Sequence, residues 1–215
     1  MTETQEGYPF TDVVTSVTTL RAILGEPSEL SMRKQLTGLD QHCRAFIALS
    51  PFLLIATVDA TGACDVSPRG DAPGFALVLD DHTLALPERS GNRRADTLLN
   101  IVQTSGIGLL FMIPGVEETL RVNGRAQIVR DAAILDRTVA HGKRPLVVIG
   151  VTVEECYLQC AKALKRSRLW QSEHWPDRAA LPTLAQMLLD QARLPGLGIE
   201  DLTRSIEESY TQRLY

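Results

Sequence analysis

CDVSPRGDAPGFALVLDDHTLALPERSGNRRADTLLNI, residues 64–101, sets two strand-like runs and a helix around a Ser-Gly-Asn-Arg-Arg turn. Residues 76–79 and 83–86 are short apolar runs, the pattern of strands, whereas residues 94–101 carry Leu98, Leu99 and Ile101 at helical spacing. The turn therefore joins a strand to a helix. Gly91 permits a sharp bend, Arg93 and Arg94 supply two permanent cations, and the free N–H groups of a helix start point the same way. Such a junction holds a phosphate. Cations at a helix N-terminus oppose the dipole, so two in succession call for an anion.

Outward from this stretch the order is helices, then strands, then helices. Residues 11–24 and 34–49 repeat apolar positions at helical spacing, and Pro51 ends the second run. Residues 52–58 and 63–67 read as strands joined by a hairpin turn at residues 59–62. Residues 106–113, 119–130 and 146–157 add three more, with a Pro114-Gly115 turn and a bend or bulge at Asn123-Gly124. Asp131 is placed to cap a short helix over residues 131–138. The expected fold is mainly β with peripheral helices. Six antiparallel strands close into a barrel, because closure removes exposed sheet edges. Residues 1–34 read as an N-terminal helical segment, 35–175 as the barrel domain, and 176–215 as a helical extension appended to it.

Composition narrows the function. A chain of 215 residues, 44% hydrophobic and 22% charged, supports one sizeable core. Its formal charge of −4 provides no general attraction to nucleic acid, so the arginines at 89, 93 and 94 read as a local site. No apolar run approaches a membrane span, and the polar start shows no basic region before an apolar stretch, which makes a cytoplasmic location the default. Four cysteines without a CxxC pair and four scattered histidines argue against a metal site or a disulfide scaffold. Cys156 and Cys160 read as small buried hydrophobes. Neither a Ser-His-Asp set nor paired carboxylates are evident, so no catalytic residue is assigned.

The element order, Ser67-Pro68-Arg69-Gly70-Asp71, the Gly91-Asn92-Arg93-Arg94 turn, Asn100, and the Pro114-Gly115 to Thr119-Leu120-Arg121-Val122-Asn123-Gly124 hairpin together resemble the pyridoxamine 5'-phosphate oxidase-related flavoproteins. The resemblance spans residues 35–170 and is greatest to a bacterial subgroup of FMN-dependent enzymes. It implies an FMN-binding split barrel of six strands, a homodimer with FMN at the subunit interface, and a small-molecule substrate. It further implies that Asn92, Arg93 and Arg94 hold the FMN phosphate. Ser67, Arg69, Gly70 and Asp71 would run along the flavin ring, with Asp71 either at the ring or paired with Arg69. Pro87 and Arg89 would pass close to the ribityl chain and phosphate, Arg89 being equally open to an ion pair with Glu88 or Asp96. Thr119 and Arg121 would reach the ring from the second subunit.

Ser167-Arg168-Leu169-Trp170 is similar to the family's C-terminal element, which adds Arg168 and Trp170 to the cofactor set. Lys162, Arg168 and Trp170 are candidates for substrate contact. The family's Arg-x-His-type motif is missing there, since His174 lies beyond it, and vitamin B6 oxidation itself is therefore not carried over. The implied activity is an FMN-dependent oxidoreductase that transfers hydride at flavin N5, without a protein nucleophile or metal. The alternative is a non-catalytic FMN-binding protein for flavin storage, sensing or electron relay. Haem on the same barrel is weaker, as no histidine falls in these motifs.

Overall fold

The computed structural model describes residues 10–215, and the polar start read at residues 1–9 lies outside them. The chain divides into two compact units, Met1–Gln35 and Leu36–Tyr215. In the first, α1 (Val17–Leu24) begins only after Ser16, whose side chain accepts from the Thr19 amide, and stops at Gly25 with φ +76°. The helix expected over residues 11–24 is shortened by that cap. A second short helix, α2 (Glu29–Arg33), starts at Ser28. The single helix expected over residues 34–49 begins instead at Asp40, whose carboxylate accepts from the His42 and Cys43 amides and caps α3 (Gln41–Leu49).

The second unit holds seven antiparallel strands, one for each strand run read in the sequence and one more than the six assigned to the barrel: β1 (Phe52–Val58), β2 (Cys64–Gly70), β3 (Leu77–Val78), β4 (Thr83–Pro87), β5 (Gly106–Met112), β6 (Thr119–Val129) and β7 (Val148–Gln159). β3 falls within the strand run expected at residues 76–79 but pairs only two residues with β4. The sheet order is β2-β1-β5-β6-β7-β4-β3, so β2 and β3 are its edges. Yet Arg69 at the end of β2 lies 3.0 Å from Glu88, just past β4, and Arg89 lies 2.7 Å from Asp71. Residues from opposite ends of one sheet meet only if the sheet curls round. The result is a barrel whose seam is closed by side chains instead of a backbone ladder, hence a split barrel. Pro68 lies within β2, opposite Leu54, because an edge strand tolerates the missing N–H.

The barrel interior is filled by Leu53 and Ile55 of β1, Leu109 and Phe111 of β5, and Leu120 and Val122 of β6, all at most 1% exposed. Cys43 of α3 and Cys156 of β7 join them, with sulfurs 3.9 Å apart, and burial pushes the Cys43 thiol up to about 12. Cys156 thus behaves as the small buried hydrophobe expected, whereas Cys160, beyond the end of β7, is exposed. The remaining helices are α4 (Asp96–Thr104), α5 (Ala132–Arg137), α6 (Lys162–Ser167), α7 (Leu184–Ala192) and α8 (Ile199–Gln212). Asp131 caps α5 by accepting from the Ala133 amide, as its position implied.

A register shift between β6 and β7 falls at Asn123/Gly124, where the bend was expected, but the inserted residue is on β7: Asn123 pairs with Glu155 and Gly124 with Val153. Glu154 is the extra residue. Val151 and Val153 face the core before it, Cys156 after it, so the bulge turns Glu155, Tyr157 and Gln159 to the outer face. There they meet Asn123, Arg121 and Thr119 of β6.

Candidate functional site

Where the seam closes, the end of β2 and the chain after β4 bound a groove with a cavity of about 480 Å³, within the usual range for small-molecule sites of ~300–1,000 Å³. It brings together Arg69, Gly70, Asp71, Pro87 and Arg89, five of the residues expected to hold a cofactor. A hollow of about 420 Å³ along α8 is lined by that one helix alone and has no polar groups converging from other elements.

Asp71, with its side chain 3% exposed, is the hub of the groove. One oxygen accepts from the Ala72 amide at 2.8 Å and from the Tyr215 hydroxyl at 2.9 Å; the other accepts from Arg89 Nε at 2.7 Å. Arg89 also donates to the Thr138 carbonyl at 2.8 Å. Burial alone raises the Asp71 pKa, but the Ala72 amide, the Tyr215 hydroxyl and the Arg89 guanidinium outweigh it and hold the carboxyl below its ordinary 3.8. A carboxylate with a depressed folded-state pKa stabilises the fold above its unfolded value and loses that contribution as pH falls through the folded one. Acid titration followed by circular dichroism is expected to show stability falling below about pH 4, with a shallower fall in Asp71→Asn.

Two expected pairings change here. Arg69 pairs with Glu88 and not Asp71, and Arg89 pairs with Asp71 and not Glu88 or Asp96. Both guanidiniums are therefore neutralised locally, so they shape the groove and offer spare N–H donors without adding net charge.

Residues 88–95 lead from β4 to α4. The helix begins at Asp96, two residues later than the expected 94, so Arg93 and Arg94 precede it. Gly91 does not use a left-handed φ; Arg93 (φ +62°) and Ala95 (φ +59°) do. For residues with a Cβ this costs about 1–2 kcal/mol each, a strain that clusters at ligand clamps. No side chain caps the N-terminus of α4. Arg94 Nε pairs with Asp96 at 2.9 Å, so an internal carboxylate already accounts for one of the two cations. Arg93 is exposed and has no ion pair among the described residues. Asn92 supports the turn by accepting from the Arg94 amide at 3.0 Å.

The other candidates lie elsewhere. Ser67 donates to Asp65 at 3.2 Å, and Asp65 in turn accepts from Thr97 of α4 at 2.9 Å. Asn100 donates to Thr57 at 3.0 Å, both of them buried. These bonds fasten α4 to β1 and β2, and so position the loop before it. Arg121 donates to the Tyr157 hydroxyl at 2.9 Å and lies 5.5 Å from its ring centre. Gln159 links it to Thr119 when its amide is oriented to donate to Thr119 (3.1 Å) and accept from Arg121 Nη2 (2.8 Å).

Pairing registers place Pro68, Leu54, Leu110, Arg121 and Tyr157 in one row across the outer face. Three strand spacings separate Pro68 from Arg121, about 14 Å along the sheet. Arg168, in a left-handed conformation at the end of α6, lies 3.2 Å from His174 Nε2, and Trp170 Nε1 donates to the Val116 carbonyl at 2.9 Å. Lys165 pairs with Glu117. This segment therefore packs on the β5–β6 hairpin, and neither it nor the exposed Lys162 lines the groove.

Sequence reasoning missed Phe75, Ser90, Leu214 and Tyr215 as lining residues. For Tyr215 no local signal exists, since its partner Asp71 is 144 positions away.

The family model for pyridoxamine 5'-phosphate oxidase matches residues 39–160. No curated protein matches the sequence. Among solved structures, HupZ from Group A Streptococcus is 22% identical with TM-score 0.47, covering 56% of this chain and 93% of that one. A Lactobacillus delbrueckii protein named for the oxidase family is 24% identical with TM-score 0.47, over 58% and 98%. An FMN-binding protein from Syntrophomonas wolfei is 12% identical with TM-score 0.43, over 67% and 97%. The matched segment runs from just before α3 to the end of β7 and takes in the whole barrel, its seam and the loop before α4, and on that match the chain belongs to the pyridoxamine 5'-phosphate oxidase family.

Proposed function

We propose that the seam groove is an FMN site and that the protein is an FMN-dependent oxidoreductase acting as a homodimer on a small molecule. The observation that carries this reading is a seam groove of cofactor size whose lining runs along the chain to Gly91, from where residues 92–95 lead to an uncapped helix start with an arginine that has no ion pair among the described residues. These residues fit a phosphate-bearing ligand. Arg93, Arg94 and the first amides of α4 would hold the phosphate, with Asn92 fixing the turn. Arg69, Gly70 and Asp71 would line the ring, while Pro87 and Arg89 shape the channel between. The chemistry that FMN supplies when bound is hydride exchange at N5.

The chain itself would bind, orient and exclude water. Every titratable side chain lining the groove is paired, Arg69 with Glu88 and Arg89 and Tyr215 with Asp71. No free acid or base is presented. The same observation keeps a second reading in play, a protein that holds FMN without turning over a substrate.

The outer sheet face supports the homodimer. Leu54, Leu110 and the exposed Phe52 and Val66 form an apolar strip beside the Arg121 cluster, a surface suited to a second copy. At about 14 Å along the sheet from its own groove, Arg121 is better placed to serve a partner's flavin. Thr119, linked to Arg121 through Gln159, belongs to this proposal on the same grounds, and Arg168 and Trp170 join it because Trp170 is fastened to Val116 of the β5–β6 hairpin. All four cysteines are free, in keeping with the reducing cytoplasm. No helix among the described residues is long and apolar enough to cross a membrane.

The enzyme reading is tested with flavin-loaded protein and reduced nicotinamide cofactor under anaerobic conditions. Bleaching of the oxidised-flavin absorption, followed by its return on admission of air or a test acceptor, is the expected result. Flavin that stays oxidised with every donor tried would favour the non-catalytic reading.

A further inference from the structure

Tyr215 follows α8 and arrives in the groove from the far end of the chain. Its hydroxyl donates to Asp71 Oδ1 at 2.9 Å, its ring lies 4.3 Å from the His141 ring at 38°, and its carbonyl accepts from Lys143. The receiving turn is itself specialised, since His141 and Gly142 both have positive φ, at +49° and +72°. Tyr215 is thus held at three points, each on a different group.

Any one of these points would fasten the residue to the barrel. Together they fix the ring plane, the hydroxyl direction and the backbone, and they do so beside Arg69, Gly70 and Arg89. An ionised Asp71 accepts only, so the phenol must donate to it, leaving the phenolic oxygen free to accept a second hydrogen bond. The bond to Asp71 also raises the phenol pKa, which keeps the side chain neutral.

We infer that Tyr215 is a ligand-contacting wall of the seam groove, built to take the face or edge of a planar aromatic ring whose phosphate is held by residues 92–94. The inference rests on the FMN reading of the groove, and adds to it a contact from outside the matched residues 39–160. It also gives α8 a part in the site, because α8 leads directly to Tyr215.

The test compares the full chain with Tyr215→Ala and Tyr215→Phe in equilibrium titrations with FMN, reading affinity and the fluorescence of the bound flavin. A tyrosine in contact with an excited flavin quenches it by electron transfer, and phenylalanine does not. Tyr215→Ala is expected to weaken binding by about 10- to 100-fold, the usual worth of an aromatic stacking contact. Tyr215→Phe, which keeps the ring, is expected to lose less than about tenfold in affinity but to show brighter bound flavin at saturation. A merely structural tyrosine would not change that brightness. FMN bound as tightly as wild type, or more tightly, by Tyr215→Ala would overturn the inference while leaving the FMN site standing. Failure of the wild-type chain to bind FMN would remove the site and the inference together.

Discussion

Replacing Arg93 and Arg94 together by alanine is expected to weaken FMN binding by about 2–5 kcal/mol, roughly 30- to 5,000-fold in Kd. Each arginine would contribute a charge-assisted hydrogen bond of ~1.5–3 kcal/mol. From the sum must be taken the pair that Arg94 makes with Asp96 in the free protein, an exposed contact worth up to about 1 kcal/mol. The fold should not suffer, because both side chains are exposed and neither touches the core. Fluorescence titration measures the affinity and thermal unfolding checks the fold. An unchanged Kd would show that the loop before α4 does not hold the phosphate.

Gly124→Ala is expected to have the largest effect on the fold, a loss of about 3 kcal/mol or more. An added Cβ would collide with the Thr152 carbonyl oxygen and press on the Glu154 amide, both backbone atoms that cannot swing away. Relief requires β6 and β7 to separate at the bulge that turns Tyr157 and Gln159 outward. Urea unfolding measures the loss. Gly91→Ala is the matched control: nothing lies within 4 Å of its added Cβ and its φ is not left-handed, so a change within about 0.5 kcal/mol is expected.

These two glycines show what the sequence could reveal. Asn123-Gly124 signalled an irregularity inside a strand run, and the irregularity is there. The inserted residue is nevertheless Glu154 on β7, where the run Val-Glu-Glu-Cys carries no mark of a bulge. Gly91 looked like the pivot of the phosphate turn, yet the left-handed residues are Arg93 and Ala95, which no propensity rule would select. Strand runs were legible because alternation and turn residues are local. The two-residue β3 only just qualifies as a strand, and helix starts moved wherever a side-chain cap outweighed apolar spacing, as at Ser16 and Asp40.

The site was legible in part, for a related reason. Arg69, Gly70, Asp71, Pro87 and Arg89 stand at the ends of two strands, and the groove is where those ends meet. Which arginine pairs with which carboxylate depends on how the barrel curls, so Arg69–Glu88 and Arg89–Asp71 could not be read from spacing. Contacts over a long separation were invisible altogether. Tyr215 beside Asp71 and Trp170 on Val116 each depend on a peripheral helix returning to the barrel.

The central claim is that the seam groove binds FMN, and equilibrium titration of the purified apoprotein with FMN tests it most directly. One FMN per chain is expected, with the visible absorption of oxidised flavin retained after gel filtration. Free FMN separating completely from a folded, colourless protein would contradict it.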